Sequence, residues 1–351
     1  MSDMVEEKRP RKINWGLWIK LIIVAAILAV IFWVVEWDQF WKEISNVDVR
    51  WYVAAFCSFG LALAAGAYRW QQLLRVQGIQ LPFRESWVLT MIGFCFNQFM
   101  PGSTGGDLVK IFYAIRKAPE KKPATILSIG MDRVLGLVAI LAITFILLPF
   151  EWTKLSADTQ TRAIVIVLLV ALSAVFGGLL FIFLCPVRVA ISLFSLPMKV
   201  LPERLRQLWA KGVEVIESLY QAMHAHGKEW GYTLRAILGA VITVIPLLSV
   251  GWLLAQALNL DIGPGAMVIL FAMVLCCMSV PLVPGGHGTR DGAFILLFGV
   301  FAVTRDEVAV GKEVALAASI LFLFINWFWA MIGGAVYFLF SSHIKKTEPN
   351  L

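Results

Sequence analysis

The sequence predicts an all-α polytopic membrane protein with six full spans and two oppositely oriented re-entrant helical hairpins, arranged as an inverted-topology repeat. Three observations predict it. The 351 residues are 60% hydrophobic and only 15% charged, with mean hydropathy +0.80, whereas a soluble domain carries about 25% charged residues. Six apolar segments are each long enough to cross roughly 30 Å of hydrocarbon, and two further apolar regions are broken by Pro/Gly-rich inserts. Lys and Arg gather in particular loops. Fourteen Trp and 24 Phe suit interfacial aromatic belts, and the alternating strands of an outer-membrane barrel are absent.

The elements follow in order. Residues 1–14 form a polar, basic tail. The first repeat, 15–149, holds spans near 15–37, 51–72 and 124–149, with the hairpin 86–117 between the second and third. The run from Trp15 to Trp37 is too long for a signal-peptide core and has no small-residue cleavage site, so it is expected to stay as a span. Residues 150–185 supply an outer loop and the span 161–185 that opens the second repeat. Within 186–231, Leu205, Leu208, Val213, Ile216, Leu219, Tyr220 and Met223 recur at helical spacing among charges. They predict an amphipathic cytoplasmic helix, on which His224 and His226 are ordinary exposed residues. Residues 232–340 complete the second repeat with spans 232–258 and 314–340 and the hairpin 264–304. A second polar tail, 341–351, follows.

Charge decides the sides. Of the 30 Lys and Arg, 22 fall in the tails and loops 8–20, 69–84, 110–122, 188–235 and 345–346, against six in the segments between. The excess marks the cytoplasmic face, with both termini inside a plasma membrane of the bacterial inner type. Residues 69–84 and 110–122 are then both inside, so 86–117 must enter and leave from the cytoplasm, turning near NQFMPGSTGGD. By the same reasoning 264–304 enters and leaves from outside, turning near PGGHGTRDG. Binding sites of inverted repeats lie at such broken helices near the midplane.

Polar residues in these turns need a reason, because a charge at bilayer depth costs about 2.5–3.5 kcal/mol on insertion scales. The first hairpin carries Asn97, Gln98, Gly105, Gly106, Asp107 and Lys110. Thr104-Gly-Gly-Asp107 has the form of a capping box. The same helix start, with its glycines allowing close approach, would also suit an anion. The second hairpin carries Gly285, Gly286, His287, Gly288, Arg290 and Asp291, with Thr289 a candidate cap of the departing helix. Arg290 and Asp291 are neighbours and point about 100° apart on a helix, so they need not pair. Arg290 suits a phosphate clamp or a salt bridge to Asp107 or Asp132 across the repeat axis. His287 suits a turn-stabilising role, with phosphate donation or a proton relay as its alternative. Asp132 and Arg133 lie roughly 12–14 Å into their span by helix rise. Arg133 and Arg69 can instead snorkel toward the cytoplasm, and Asn326 suits helix packing.

No P-loop, Gly-x-Ser-x-Gly or His-Glu-x-x-His motif occurs, so no enzyme and no ATP-driven pump is expected. No cofactor or metal is expected either, since the five cysteines lie in apolar runs without ligand spacing. The positive-inside rule accounts for the net charge of +7 without a nucleic-acid partner. Arg69-Trp70 with Leu73-Leu74, Asn97…Pro101…Gly106-Asp107…Lys110, Asp132-Arg133 and Pro284-Gly-Gly-x-Gly-x-Arg-Asp-Gly292 resemble the lysylphosphatidylglycerol synthase transmembrane, or flippase-like, family. The resemblance covers residues 15–340, without the soluble aminoacyl-transfer domain of some members. It implies movement of a polar lipid between leaflets, the partner being a phospholipid, an aminoacylated lipid or a polyprenyl-phosphate lipid. Where the family usually has Glu-Arg, Gly-Glu and Arg, this chain has Asp132-Arg133, Gly106-Asp107 and Lys110, which keeps charge sign and shortens the acids. The alternatives are an intramembrane enzyme acting on a lipid headgroup and a non-transporting accessory of a lipid-modifying enzyme.

Overall fold

The computed structural model describes residues 37–99, 105–155, 166, 170, 230–279 and 288–347. The expected spans 15–37 (apart from its last residue) and 161–185 (apart from 166 and 170), the amphipathic helix within 186–231, and the turns at 100–104 and 280–287 lie outside them. Among the described residues the chain runs α1 (Trp37–Ser45), α2 (Val49–Val76), α3 (Phe83–Phe99), α4 (Gly105–Lys117), a 3-10 turn (Pro119–Lys121), α5 (Lys122–Leu155), α6 (Trp230–Ala257), α7 (Pro264–Ser279), α8 (Thr289–Val300), β1 (Thr304–Arg305), β2 (Val308–Ala309) and α9 (Lys312–Thr347).

Four of these helices, α2, α5, α6 and α9, are long and apolar enough to cross a membrane. They overlie the spans read at 51–72, 124–149, 232–258 and 314–340, with ends that differ by one to several residues. In hydrocarbon a helix meets all its own backbone hydrogen bonds, which is why apolar runs of this length settle as helices. α2 and α6 form the most extensive pair. Ser58 bonds across it to the Pro246 carbonyl at 2.9 Å and to the Ser249 hydroxyl at 2.8 Å, the kind of polar contact that joins helices lacking a hydrophobic drive to associate.

The shorter helices pair as two helical hairpins, α3 with α4 and α7 with α8. Their feet sit at opposite ends of α2. At one end Lys121, beyond α4, donates to the Gln77 and Gly78 carbonyls just after α2 and before α3. At the other, Asp48 before α2 donates its N–H to Ala257, and Asp261 before α7 pairs with Thr304 after α8. Both hairpins pack on α9. A chain of ring contacts crosses the core between them: Phe94 of α3 meets Phe59 of α2, then Phe322 of α9, Phe271 of α7 and Phe294 of α8, with centroids 5.0–6.2 Å apart. Such pairs add about 0.5–1.5 kcal/mol each beyond burial. Two elements had no counterpart in the sequence reading: the nine-residue α1 and the antiparallel β1–β2 ribbon, which turns through Asp306 and Glu307 at positive φ.

Candidate functional site

Arg69 sits near the end of α2, where an unpaired guanidinium among apolar helices would be costly. Asp132 of α5 meets it: Arg69 Nε donates to Oδ1 at 2.6 Å, with both side chains largely buried. Glycines make the slot. A Cβ on Gly136 would stand 3.3 Å from the guanidinium, and one on Gly239 3.2 Å from the Arg69 Cβ. Arg69 therefore does not snorkel, because a carboxylate inside the bundle replaces water.

Arg133 follows Asp132 and projects from a different side of α5. Its Nε and one terminal nitrogen donate to the two oxygens of Asp107 at 3.0 and 3.1 Å, a bidentate fork that ties α5 to α4. Asp107 lies in the first turn of α4, where a carboxylate also suits the helix dipole. The Arg133 side chain is 54% exposed, so one side of this bond faces open space. The hairpin closes just above it: Asn97 of α3 accepts the Gly106 N–H at 2.8 Å, satisfying a donor that the start of α4 leaves free. Gly105 and Gly106 are buried there. A side chain on Gly106 would collide with the Gly93 carbonyl of α3, so this contact needs glycine.

Lys110 lies one turn below Gly106 and is 8% exposed. Its stem runs against Gly93, and its ammonium stands 4.8 Å from the Trp70 ring centre. The two nearby acids, Asp107 and Asp132, are each bound to an arginine. Among the described residues no carboxylate comes within ion-pair distance of Lys110. The cluster thus sets Arg69, Lys110 and Arg133 against Asp107 and Asp132, an excess of one positive charge. Cation–π contact offers about 0.5–2 kcal/mol, while burying an ammonium costs several.

The second hairpin is wired differently. Arg290 is 2% exposed and donates through Nε and a terminal nitrogen to Asp291 Oδ1 at 3.0 and 2.6 Å. Ser319 of α9 joins both, accepting from Arg290 Nε at 2.7 Å and donating to Asp291. The expectation that these neighbours need not pair is corrected: the long guanidinium arm folds back across the 100° between them. Nor does Arg290 reach Asp107 or Asp132, which the first cluster's arginines hold. The expected Thr289 cap is corrected as well. Gly288 is the N-cap, at φ +83°, and its N–H donates to Asp291 at 3.3 Å. Gly285, Gly286 and His287 lie outside the described residues. Gln98 donates to Asn326 of α9 at 3.4 Å, and Asn326 also donates to the Phe322 carbonyl at 2.7 Å. The ends of both hairpins therefore reach α9 at Ser319 and Asn326, about 10 Å apart by helix rise.

Sequence reasoning assigned no role to Trp70, Gly93 or Ser319. Ser319 carried a signal, as the lone hydroxyl in the run VALAASILF; for Gly93 there was none without knowing which helix it faces.

The family model for the lysylphosphatidylglycerol synthase TM region matches residues 17–334. The chain belongs to that family. All the site residues just described fall within the matched segment. A UPF0104 membrane protein of Methanocaldococcus jannaschii is similar at 19% identity over 294 residues, covering 83% of this chain and 85% of that protein. Membership of this membrane family, together with four helices of spanning length, makes the chain an integral membrane protein.

Proposed function

We propose that the protein is a flippase-like transporter that moves a phosphate-bearing anionic lipid between membrane leaflets, its two hairpins re-entrant from opposite faces of an inverted repeat with six spans. The observation that carries this is Lys110: a buried cation without a carboxylate partner among the described residues, in a cluster with one excess positive charge. A membrane protein that keeps such a charge uses it, since intramembrane ionisable groups are costly. The lipid phosphate takes the place beside Lys110, and the half-exposed Arg133 marks the side from which it enters. The acyl chains stay in the bilayer throughout. Movement of the first hairpin against α5 breaks and remakes the Arg133–Asp107 fork, which is the contact between the moving parts. Family membership, in a group named for a lipid-modifying synthase, agrees with a lipid partner.

The test is leaflet exchange of fluorescent phospholipids and polyprenyl phosphates in liposomes holding the purified protein. A hydrogen bond to a charged group contributes about 1.5–3 kcal/mol, so Lys110→Gln is expected to slow exchange roughly ten- to hundredfold. No exchange across the lipid panel overturns the proposal. The sealed Arg290–Asp291–Ser319 group is the observation that favours a second reading, a non-transporting accessory of a lipid-modifying enzyme. Under that reading the wild type exchanges no lipid yet co-purifies with an enzyme whose product changes when the chain is deleted.

A further inference from the structure

We infer that the headgroup taken beside Lys110 is uncharged and hydroxyl-bearing, carried on a phosphodiester, and not an amine. This rests on the transport reading above and adds the chemistry of what is carried. An ammonium headgroup requires a free carboxylate. Asp132 is neutralised by Arg69 through Oδ1, both oxygens of Asp107 are held by Arg133, and Glu85 pairs with Lys117 at the surface. Among the described residues, the polar side chains left without a partner on the face of α3 that carries Gly93 are neutral and hydroxylic. Ser86 Oγ and Thr90 Oγ1 of α3 are buried with no hydrogen-bond partner, their residues 0% and 8% exposed.

That state is unusual for a helical hydroxyl. Thr125, Thr144, Thr243 and Ser279 of this same chain each return their proton to the carbonyl four residues back. Ser86 and Thr90 do not, although the same option lies beside them. With Gly93 and Asn97 they recur at intervals of four, three and four residues, which places them in one stripe of α3. Gly93 identifies where the stripe faces: it lies against Gly106 and the Lys110 stem. The stripe therefore runs from the foot of the first hairpin to the Asn97 closure and passes the unpartnered ammonium on the way. A phosphate against Lys110 would set a glycerol or sugar headgroup along Thr90 and Ser86. There its hydroxyls supply both the donors and the acceptors these side chains lack.

The experiment uses the full chain in two assays. In detergent, thermal unfolding is followed with short-chain phosphatidylglycerol, phosphatidylethanolamine, lysyl-phosphatidylglycerol or soluble glycerol phosphate added. In liposomes, exchange of the fluorescent forms of the three lipids is measured. Phosphatidylglycerol is expected to stabilise the protein and to exchange at least tenfold faster than either amine-bearing lipid. Thr90→Val and Ser86→Ala, which keep volume and fold, are expected to shrink that preference at least threefold. Lys110→Arg is expected to retain it. Equal response to all three lipids, or a preference for an amine, overturns the inference. So does stabilisation by glycerol phosphate alone, which would make the ligand soluble. Selective stabilisation by phosphatidylglycerol without any exchange upholds the headgroup assignment and overturns the transport reading, so the two fail separately.

Discussion

Arg290 and Lys110 are both cations buried among helices, and they make opposite demands. Arg290 has Asp291 and Ser319 within hydrogen-bond distance, so its removal strands a buried carboxylate. Losing one partner of a buried pair costs about 3–5 kcal/mol. Arg290→Ala is therefore expected to lower the thermal unfolding midpoint in detergent sharply, while replacing Arg290 and Asp291 together by Met and Leu restores most of it. If Arg290→Ala instead leaves stability intact and only slows lipid exchange, Arg290 holds ligand and not the fold. Both residues were visible in the sequence as charges in an apolar setting and were read alike as holders of a phosphate, yet what each contacts was not legible. The Arg290–Asp291 bond depends on how far a guanidinium folds back, which a helical-wheel angle does not express. Lys110 was read from the sequence both as a loop charge and, with Arg133 and Arg290, as a holder of a lipid phosphate; that it is buried against Gly93 and Trp70 was not legible, because nothing in its neighbours tells that α4 begins inside the core.

A helical hairpin holds when two helix faces can approach, and here the approach is set by Gly93 against Gly106. A methyl on Gly106 would overlap the Gly93 backbone, so Gly106→Ala must push α4 from α3. That also stretches the Asn97 bond to the Gly106 N–H. The expected cost is about 1–3 kcal/mol, seen as a lower unfolding midpoint and slower exchange. Gly130→Ala in α5 is the control: its Cβ meets nothing within 4 Å, and helix propensity alone predicts a small gain. Equal behaviour of the two variants would mean that the glycine contact does not hold the hairpin. Element positions were legible because apolar run length and Pro/Gly breaks report directly on helices. Contacts between elements were not, since a glycine reads the same whether it faces a neighbour or lipid. The short α1 and the β1–β2 ribbon escaped for a related reason, being too brief for any periodicity to register.

At the scale of the whole molecule, the feet of the two hairpins lie at opposite ends of the bundle, and both hairpins pack on α9. The bonds from Lys121 to the Gln77 and Gly78 carbonyls hold the start of the first hairpin beside its end. The Asp261–Thr304 bridge does the same for the second. If the bundle stands upright in a membrane, each hairpin begins and ends at one face, the two at opposite faces. Single cysteines in a cysteine-free protein test this with an impermeant thiol reagent. Arg84→Cys and Glu120→Cys, both exposed, are expected to react from one face, and from the cytoplasmic one if the Lys/Arg excess sets orientation. Asp261→Cys and Val308→Cys, also exposed, are expected to react from the other. Labelling of positions 84 and 120 from opposite faces would make 83–117 a crossing segment. It would also remove the opposed hairpins on which alternating access between two leaflets depends. The pattern matters for mechanism because the one excess positive charge lies in the first hairpin's cluster and the neutral, sealed group in the second's. A lipid phosphate would then be captured from the side on which 84 and 120 react, with the Arg290 group fixing α8 to α9 as the frame against which the first hairpin moves.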